Sequence, residues 1–218
     1  MVTCALKRPD GRAAPEPAVQ VSRRPGERGV RLSAAVEQLL AARELHCPHC
    51  RGELRPWGSA RPRPVRELGT ETVCTPRRSR CASCEKTHVL LPDTTLLRRR
   101  DALAVIGAAL LAKATGEGSR LIGRRLGVHP DTVRGWLRRF ALRAEGWRAH
   151  CWAWAHALDA SLGPIAPAGS VFADAVSAIG LAVAAATRRF GPRPGWGWVA
   201  VITAGGLLAN TSSPSPAT

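Results

Sequence analysis

Two C-x-x-C pairs constrain this chain most: Cys47-Pro48-His49-Cys50 and Cys81-Ala82-Ser83-Cys84, separated by 30 residues. Each two-residue spacer lets one tight turn present two sulfurs, and four thiolates complete a tetrahedral Zn²⁺ shell. Such a shell has no open position, so the expected site is structural Zn²⁺ on Cys47, Cys50, Cys81 and Cys84. His46, His49 and His88 are alternative ligands that could replace one cysteine. The gap exceeds the roughly 15–20 residues usual between such pairs. Arg61-Pro62-Arg63-Pro64 and Gly69 predict a hairpin or loop that takes up the extra length. Cys4, Cys74 and Cys151 are unpaired in sequence and read as small buried hydrophobes. Seven cysteines in 218 residues are too sparse for a disulfide scaffold. They point to metal in a reducing compartment, and a redox role would need a thioredoxin-like βαβ context that is missing. The N-terminus lacks the apolar stretch of a signal peptide, so the expected location is cytoplasmic.

The charge points to a polyanionic partner. The net charge is +16 and the isoelectric point near 11.3. Beyond residue 150 only Arg188, Arg189 and Arg193 stand against Asp159 and Asp174, so the excess lies in the first two thirds. Nucleic acid comes first among partners for such a balance. Lysine occurs only at positions 7, 86 and 113, and all other side-chain cations are arginine. Arginine suits bidentate phosphate and base contacts, although GC-rich codons would give the same bias. Arg77, Arg78 and Arg80 precede the second cysteine pair. They are either solvated charges or phosphate contacts that add affinity without sequence information.

The fold class expected is mainly α with a small β zinc ribbon: a three-helix helix-turn-helix domain followed by Ala-rich helices. Residues 1–31 form a basic arm too poor in large apolar residues to order itself. Residues 32–95 hold a short helix over about 32–45, capped by Ser33 with Leu39 and Leu40 on its apolar edge, and the ribbon. Residues 96–150 hold the helix-turn-helix, 151–209 a helical packing or dimerisation module, and 210–218 a polar tail.

The segment from Ser119 to Phe140 reads SRLIGRRLGVHPDTVRGWLRRF. A helix over about 119–126, a turn at Gly127-Val128 and a helix from Pro130 bring Ile122, Leu126, Val128, Val133 and Trp136 together. Small Gly123 lets the second helix approach, and Gly127 supplies the positive φ of a sharp turn. His129 falls at the N-cap, Pro130 at N1 and Asp131 in the first turn, where the dipole favours it. An upstream helix over Asp101–Ala114, with Leu103, Ile106, Leu110 and Leu111, closes a three-helix core. Trp136 reads as core rather than a base-stacking residue. The second helix then fits the major groove, its N-terminal residues toward the base edges. His129, Asp131, Arg134 and Arg138 lie on the exposed side. Arg134 or Arg138 is expected to read guanine and Asp131 to accept from cytosine, while Thr132 either contacts a base or caps the helix. Arg120, Arg124, Arg125 and Arg139 are placed for phosphates.

The "CPHC…RCASC" ribbon followed by this segment, over about residues 46–145, resembles the N-terminal zinc-ribbon and helix-turn-helix regions of insertion-sequence transposases. It is similar to a family of uncharacterised actinobacterial helix-turn-helix proteins with the same two-part layout. The resemblance implies binding of double-stranded DNA, at mobile-element ends or an operator. His129 stands where such families often place Ser or Pro.

No catalytic constellation is legible. An acidic transposase needs three carboxylates holding two Mg²⁺ ions, and after Glu145 only Asp159 and Asp174 remain. A tyrosine recombinase is excluded by the absence of tyrosine. The expectation is therefore a DNA-binding protein without enzymatic activity and without a small-molecule substrate. A zinc-ribbon interaction module for protein or RNA, and a DNA-binding subunit or remnant of a transposase, are the alternatives. In the last third Phe172, Val176, Ile179 and Val183 follow helical spacing, ended by Gly191-Pro192. This region is expected to pack or to form a homodimer matching paired half-sites. Its apolar runs of roughly 17 and 11 residues fall short of the ~20 that a membrane span needs. Trp147, Trp152 and Trp154 are expected to pack it onto the preceding helix.

Overall fold

The computed structural model describes residues 30–31, 34–92, 94–96, 99–164, 166–193 and 196–208. The expected arm before Val30, Ser33 as a helix cap and the tail from Asn210 lie outside them. The described chain runs β1 (Val30–Arg31), α1 (Ala34–Ala41), β2 (Leu54–Ser59), β3 (Arg63–Arg66), β4 (Glu71–Thr75), β5 (Arg77–Cys81), β6 (Thr87–Leu90), α2 (Leu103–Ala114), α3 (Ser119–Leu126), α4 (Pro130–Ala141), α5 (Ala144–Leu158), α6 (Val171–Phe190) and α7 (Gly197–Ile202). Helix is the predominant element, with the strands confined to the first half.

The strands form two three-stranded sheets, ordered β2-β5-β6 and β1-β4-β3. Among these six strands β1 and β4 pair in parallel and the other pairs are antiparallel. Val30 and Arg31, expected at the end of an unstructured arm, thus join a sheet. The β3–β4 hairpin turns at Gly69, where φ is 75°, and it uses up the extra length between the two cysteine pairs. Helix α1 ends at Ala41, short of the expected residue 45, because Arg43 turns left-handed with φ 58°. It lies against the β2-β5-β6 sheet in a small core of Leu40, Leu45, Cys47, Leu54, Cys81 and Leu90. Arg77 Nε to Glu37 Oε1, 2.6 Å, ties α1 to β5.

A second, larger core joins Val65 and Cys74 of the hairpin to α2 through α7. The Arg66–Asp101 ion pair, 3.0 Å, fixes β3 to the start of α2. Burial raises the Asp101 carboxyl above its ordinary range, opposed by Arg66, Arg100 and Arg99. Leu103, Ile106 and Leu110 are buried as expected, but Leu111 is 50% exposed. Leu111 lies on the same side of α2 as the half-buried Ala104 and Ala108, at i, i+4 and i+7, which the core covers only in part. Trp136 and Trp147 are among the largest fully buried side chains. Cys74 and Cys151 are buried too, and burial pushes the Cys151 thiol up to about 12.

The expected boundary at residue 150 falls inside α5. Its buried residues Ala144, Trp147, Cys151 and Ala155 follow one continuous face, so the composition shift there is not a break in the fold. Trp154 packs against the core, whereas Trp152 stays on the helix surface with Arg148 and His156. Ser170 caps α6 by accepting from Ala173 N–H at 3.2 Å. At 20 residues α6 exceeds the expected run, and its length and composition would allow it to cross a membrane. Ala175, Val176, Ala178, Ile179, Ala182 and Ala186 are nevertheless buried in this core, and the alanines among them let α5 approach closely. Beyond α7 three consecutive carbonyls are held: Gly206 O by Arg143, Leu207 O by Trp147 Nε1 and Leu208 O by Arg99.

Candidate functional site

The four knuckle cysteines converge: their Sγ atoms all lie within 4.8 Å of one another. Cys47 and Cys84 are 3.6 Å apart and Cys50 and Cys81 3.4 Å, much too far for a disulfide bond of about 2.05 Å. The backbone explains the convergence. Cys47 N–H donates to Gly52 O at 2.7 Å and Arg51 N–H returns to Cys47 O at 2.8 Å. In the second knuckle Cys81 N–H donates to Lys86 O at 2.9 Å and Glu85 N–H to Cys81 O at 3.1 Å. Arg51 and Glu85, each four residues after the first cysteine of its pair, both take positive φ, 63° and 58°. The two knuckles are therefore copies of one turn. They abut at Gly52, where an added Cβ would lie 2.4 Å from Ser83 Oγ, 2.8 Å from Ser83 Cβ and 3.0 Å from Cys81 Sγ.

The thiols influence one another strongly. N–H groups of Cys84 and Ser83 point at Cys81 Sγ at 3.5 and 3.4 Å. Together with Cys50 and Cys84 they outweigh burial and lower the Cys81 thiol to about 6. At Cys84 a backbone hydrogen bond from Lys86 favours the thiolate. Burial and the neighbouring Cys50, Cys81 and Cys47 outweigh it and push this thiol up to about 12. Four thiolates this close repel one another, and a cation among them would offset that repulsion. The group can hold a metal ion. Of the alternative ligands, His88 is buried with Nε2 3.3 Å from Cys47 Sγ, but it is not one of the four side chains whose ligand atoms all lie within 4.8 Å of one another. His46 Nδ1 lies 3.0 Å from Glu44 O.

The second group of candidate residues lies on α3 and α4. Gly127 caps α3 in the left-handed conformation, φ 64° and ψ 32°. Gly123 faces the turn so closely that a Cβ would sit 2.6 Å from Val128 O. Both glycines do what the sequence required of them. His129 caps α4, its Nδ1 accepting from Asp131 N–H at 3.3 Å. Val133, Trp136, Leu137 and Phe140 face the core. His129, Asp131, Thr132, Arg134 and Arg138 are exposed on the other side, as are Arg120, Arg124 and Arg125 of α3.

Three of these side chains have partners the sequence did not reveal. Arg134 Nη1 meets Asp131 Oδ1 at 2.6 Å, and Arg125 meets Glu117 at 2.9 Å. Arg139 is half-buried and donates back to Gly135 O at 3.1 Å. The two carboxylates of the last third are engaged as well. Asp159 pairs with Arg188 at 2.6 Å and Asp174 accepts from Ala168 N–H at 2.5 Å.

Sequence reasoning missed the role of Gly52, the left-handed residues Arg51 and Glu85, and the contact of His88 with Cys47. The i+4 repeat of a turn residue after each knuckle was the available signal, but neither residue is glycine. Among known families, a domain of unknown function, DUF6431, matches residues 47–120. The match begins at the first knuckle cysteine and ends in the first turn of α3, so the cysteine cluster, the β3–β4 hairpin and α2 lie inside it. No curated protein and no solved structure matches the chain.

Proposed function

We propose that this chain is a sequence-specific DNA-binding protein, transposase-related or a transcriptional regulator, that reads the major groove with α4 as the second helix of a helix-turn-helix. One observation carries the reading. The N-cap and outer face of α4 present His129, Asp131, Thr132, Arg134 and Arg138 to solvent while the opposite face is anchored in the core. A reading helix needs this division: a rigid back and a polar front of about the groove's width. Arg134 and Arg138 then address guanine, and Arg120, Arg124 and Arg125 address phosphates on either side. The Asp131–Arg134 pair orients the guanidinium before contact and returns it there when no matching base is present. A homodimer on paired half-sites extends the reading, and a fixed half-site spacing in selected sequences is its sign.

In the same reading the cysteine cluster is a structural zinc ribbon. Zn–S bonds of ~2.3 Å in a tetrahedron put sulfurs about 3.8 Å apart, and the closest pairs here stand at 3.4 and 3.6 Å. Zinc bound there holds the two knuckles together and neutralises the thiolates. His88 would fix one sulfur from outside the shell.

The test is selection of bound sequences from a random duplex pool near 0.15 M salt, as low salt lets phosphate contacts hide specificity. Enrichment of one motif is expected. Arg134→Ala then weakens the selected site by roughly 5- to 150-fold and relaxes one base position. Arg124→Ala weakens all sequences alike and lowers the salt slope by about one. Equal losses on selected and random duplex for both variants would refute the assignment of α4. Absence of any motif would turn the reading toward a protein- or RNA-binding module.

A further inference from the structure

We infer that the outer face of the β2-β5-β6 sheet stacks an unpaired DNA base on Trp57, with Arg55, Arg78 and Arg80 taking the flanking phosphates. The inference rests on the DNA-binding reading above but concerns a different element and a different form of DNA.

The geometry begins with strand alternation. Leu54, Ser79, Cys81, His88 and Leu90 point inward and are buried. Arg55, Arg80 and Thr87 form one outward row across the three strands, and Arg78 with Val89 a second. Trp57 follows Arg55 on this face by alternation, and the strand becomes irregular just at it. Pro56 pairs with Ser79 and Ser59 with Arg77, so Trp57 and Gly58 together oppose Arg78 alone. This is a β-bulge, with Gly58 at φ 85°, and bulges commonly re-aim a side chain. Arg77 pins it by donating from Nη1 to Gly58 O at 3.1 Å. The indole remains 50% exposed and belongs to neither core. The outward Arg80 guanidinium lies 4.9 Å from its ring centroid, which sets the indole on the arginine side of the sheet.

Folding therefore makes little use of this large aromatic surface. Arg55 and Arg80 each have one acidic neighbour, Glu53 at 3.6 Å and Glu85 at 3.0 Å. Arg78 has no ion pair among the described residues. An exposed indole among arginines matches single-stranded nucleic acid: the ring takes a base and the cations take the backbone. A duplex offers no free base face, so α4 and Trp57 address different DNA. Single-stranded or end-frayed flanks beside the duplex site are the chemistry that fits.

The experiment measures anisotropy of a labelled oligo-dT of about 12 nucleotides and of a duplex, using the full metal-loaded chain near 0.15 M salt. Trp57→Ala is expected to weaken oligo-dT binding about tenfold and leave duplex binding unchanged. Trp57→Phe retains most of the affinity. Metal content and circular dichroism establish that both variants fold, which the exposure of Trp57 favours. Equal oligo-dT affinity of wild type and Trp57→Ala overturns the inference, as does an equal loss on duplex and single strand. If wild type binds duplex but not oligo-dT, this inference fails alone; if it binds neither, the reading of α4 fails with it. A dimer that Trp57→Ala makes monomeric, with oligo-dT binding unaffected, would give the face to a second copy and overturn the proposal.

Discussion

The first turn of α4 turns on one carboxylate. Asp131 donates its N–H to the His129 cap, holds Arg134 through Oδ1 at 2.6 Å, and has Oδ2 3.6 Å from His129 Nδ1. In the DNA-binding reading, an acid on α4 opposes non-specific binding to a polyanion and restrains the arginine beside it. Asp131→Asn removes the negative charge and loosens Arg134 for any phosphate within reach. Affinity for random duplex should rise a few-fold and the salt slope steepen by about one, so that the ratio of selected to random binding falls. Titrations at several salt concentrations measure both quantities. An unchanged slope would mean that Arg134 does not approach DNA.

At the scale of elements, what was legible depended on how local the constraint was. Gly123, Gly127, Pro130 and the apolar set from Ile122 to Trp136 act within one turn and its flanks, and each stands where spacing puts it. The cysteine pairs were legible for the same reason. Leu111 was misjudged because helical period gives a face without saying how wide the covering core will be. The end of α5's supposed domain was misjudged because a shift in composition is not a shift in packing: Cys151 continues the stripe begun at Ala144. The close contact of the two knuckles was invisible, since it joins Gly52 to residues about thirty positions away. That contact makes a prediction. Gly52→Ala pushes Ser83 and Cys81 away from the first knuckle, should destabilise the β2-β5-β6 sheet by about 1–3 kcal/mol, and should weaken metal retention against a chelator. Thermal unfolding with and without chelator reads both effects. Retention equal to wild type would mean the knuckles give way more easily than their spacing implies.

At the scale of the whole molecule two cores differ in what holds them. The small one has six buried residues, two of them knuckle cysteines, and is too slight to fold alone. The large one spans α2 to α7 with the hairpin and contains none of the four clustered cysteines. Removal of metal should therefore unfold β2, β5 and β6 while leaving most helical ellipticity in place. Hydrogen exchange should show protection lost over residues 45–60 and 77–90 and kept over 103–190. Cooperative loss of both regions would instead mean that the β3–β4 hairpin couples the cores tightly enough to make one folding unit.

The three carbonyls of Gly206, Leu207 and Leu208, held by Arg143, Trp147 and Arg99, bear on the order in which the protein is made. They close the large core, and they follow every other element of it in the chain. At ~5–20 residues per second, the ribosome has delivered both cysteine knuckles on the order of ten seconds before it delivers these residues. With a metal on its four cysteines, the small sheet can thus mature on the emerging chain while the helices still wait for Leu207 and Leu208. During that interval the helical surface is unfinished, and a stalled or truncated product would carry a finished sheet on an unfinished core.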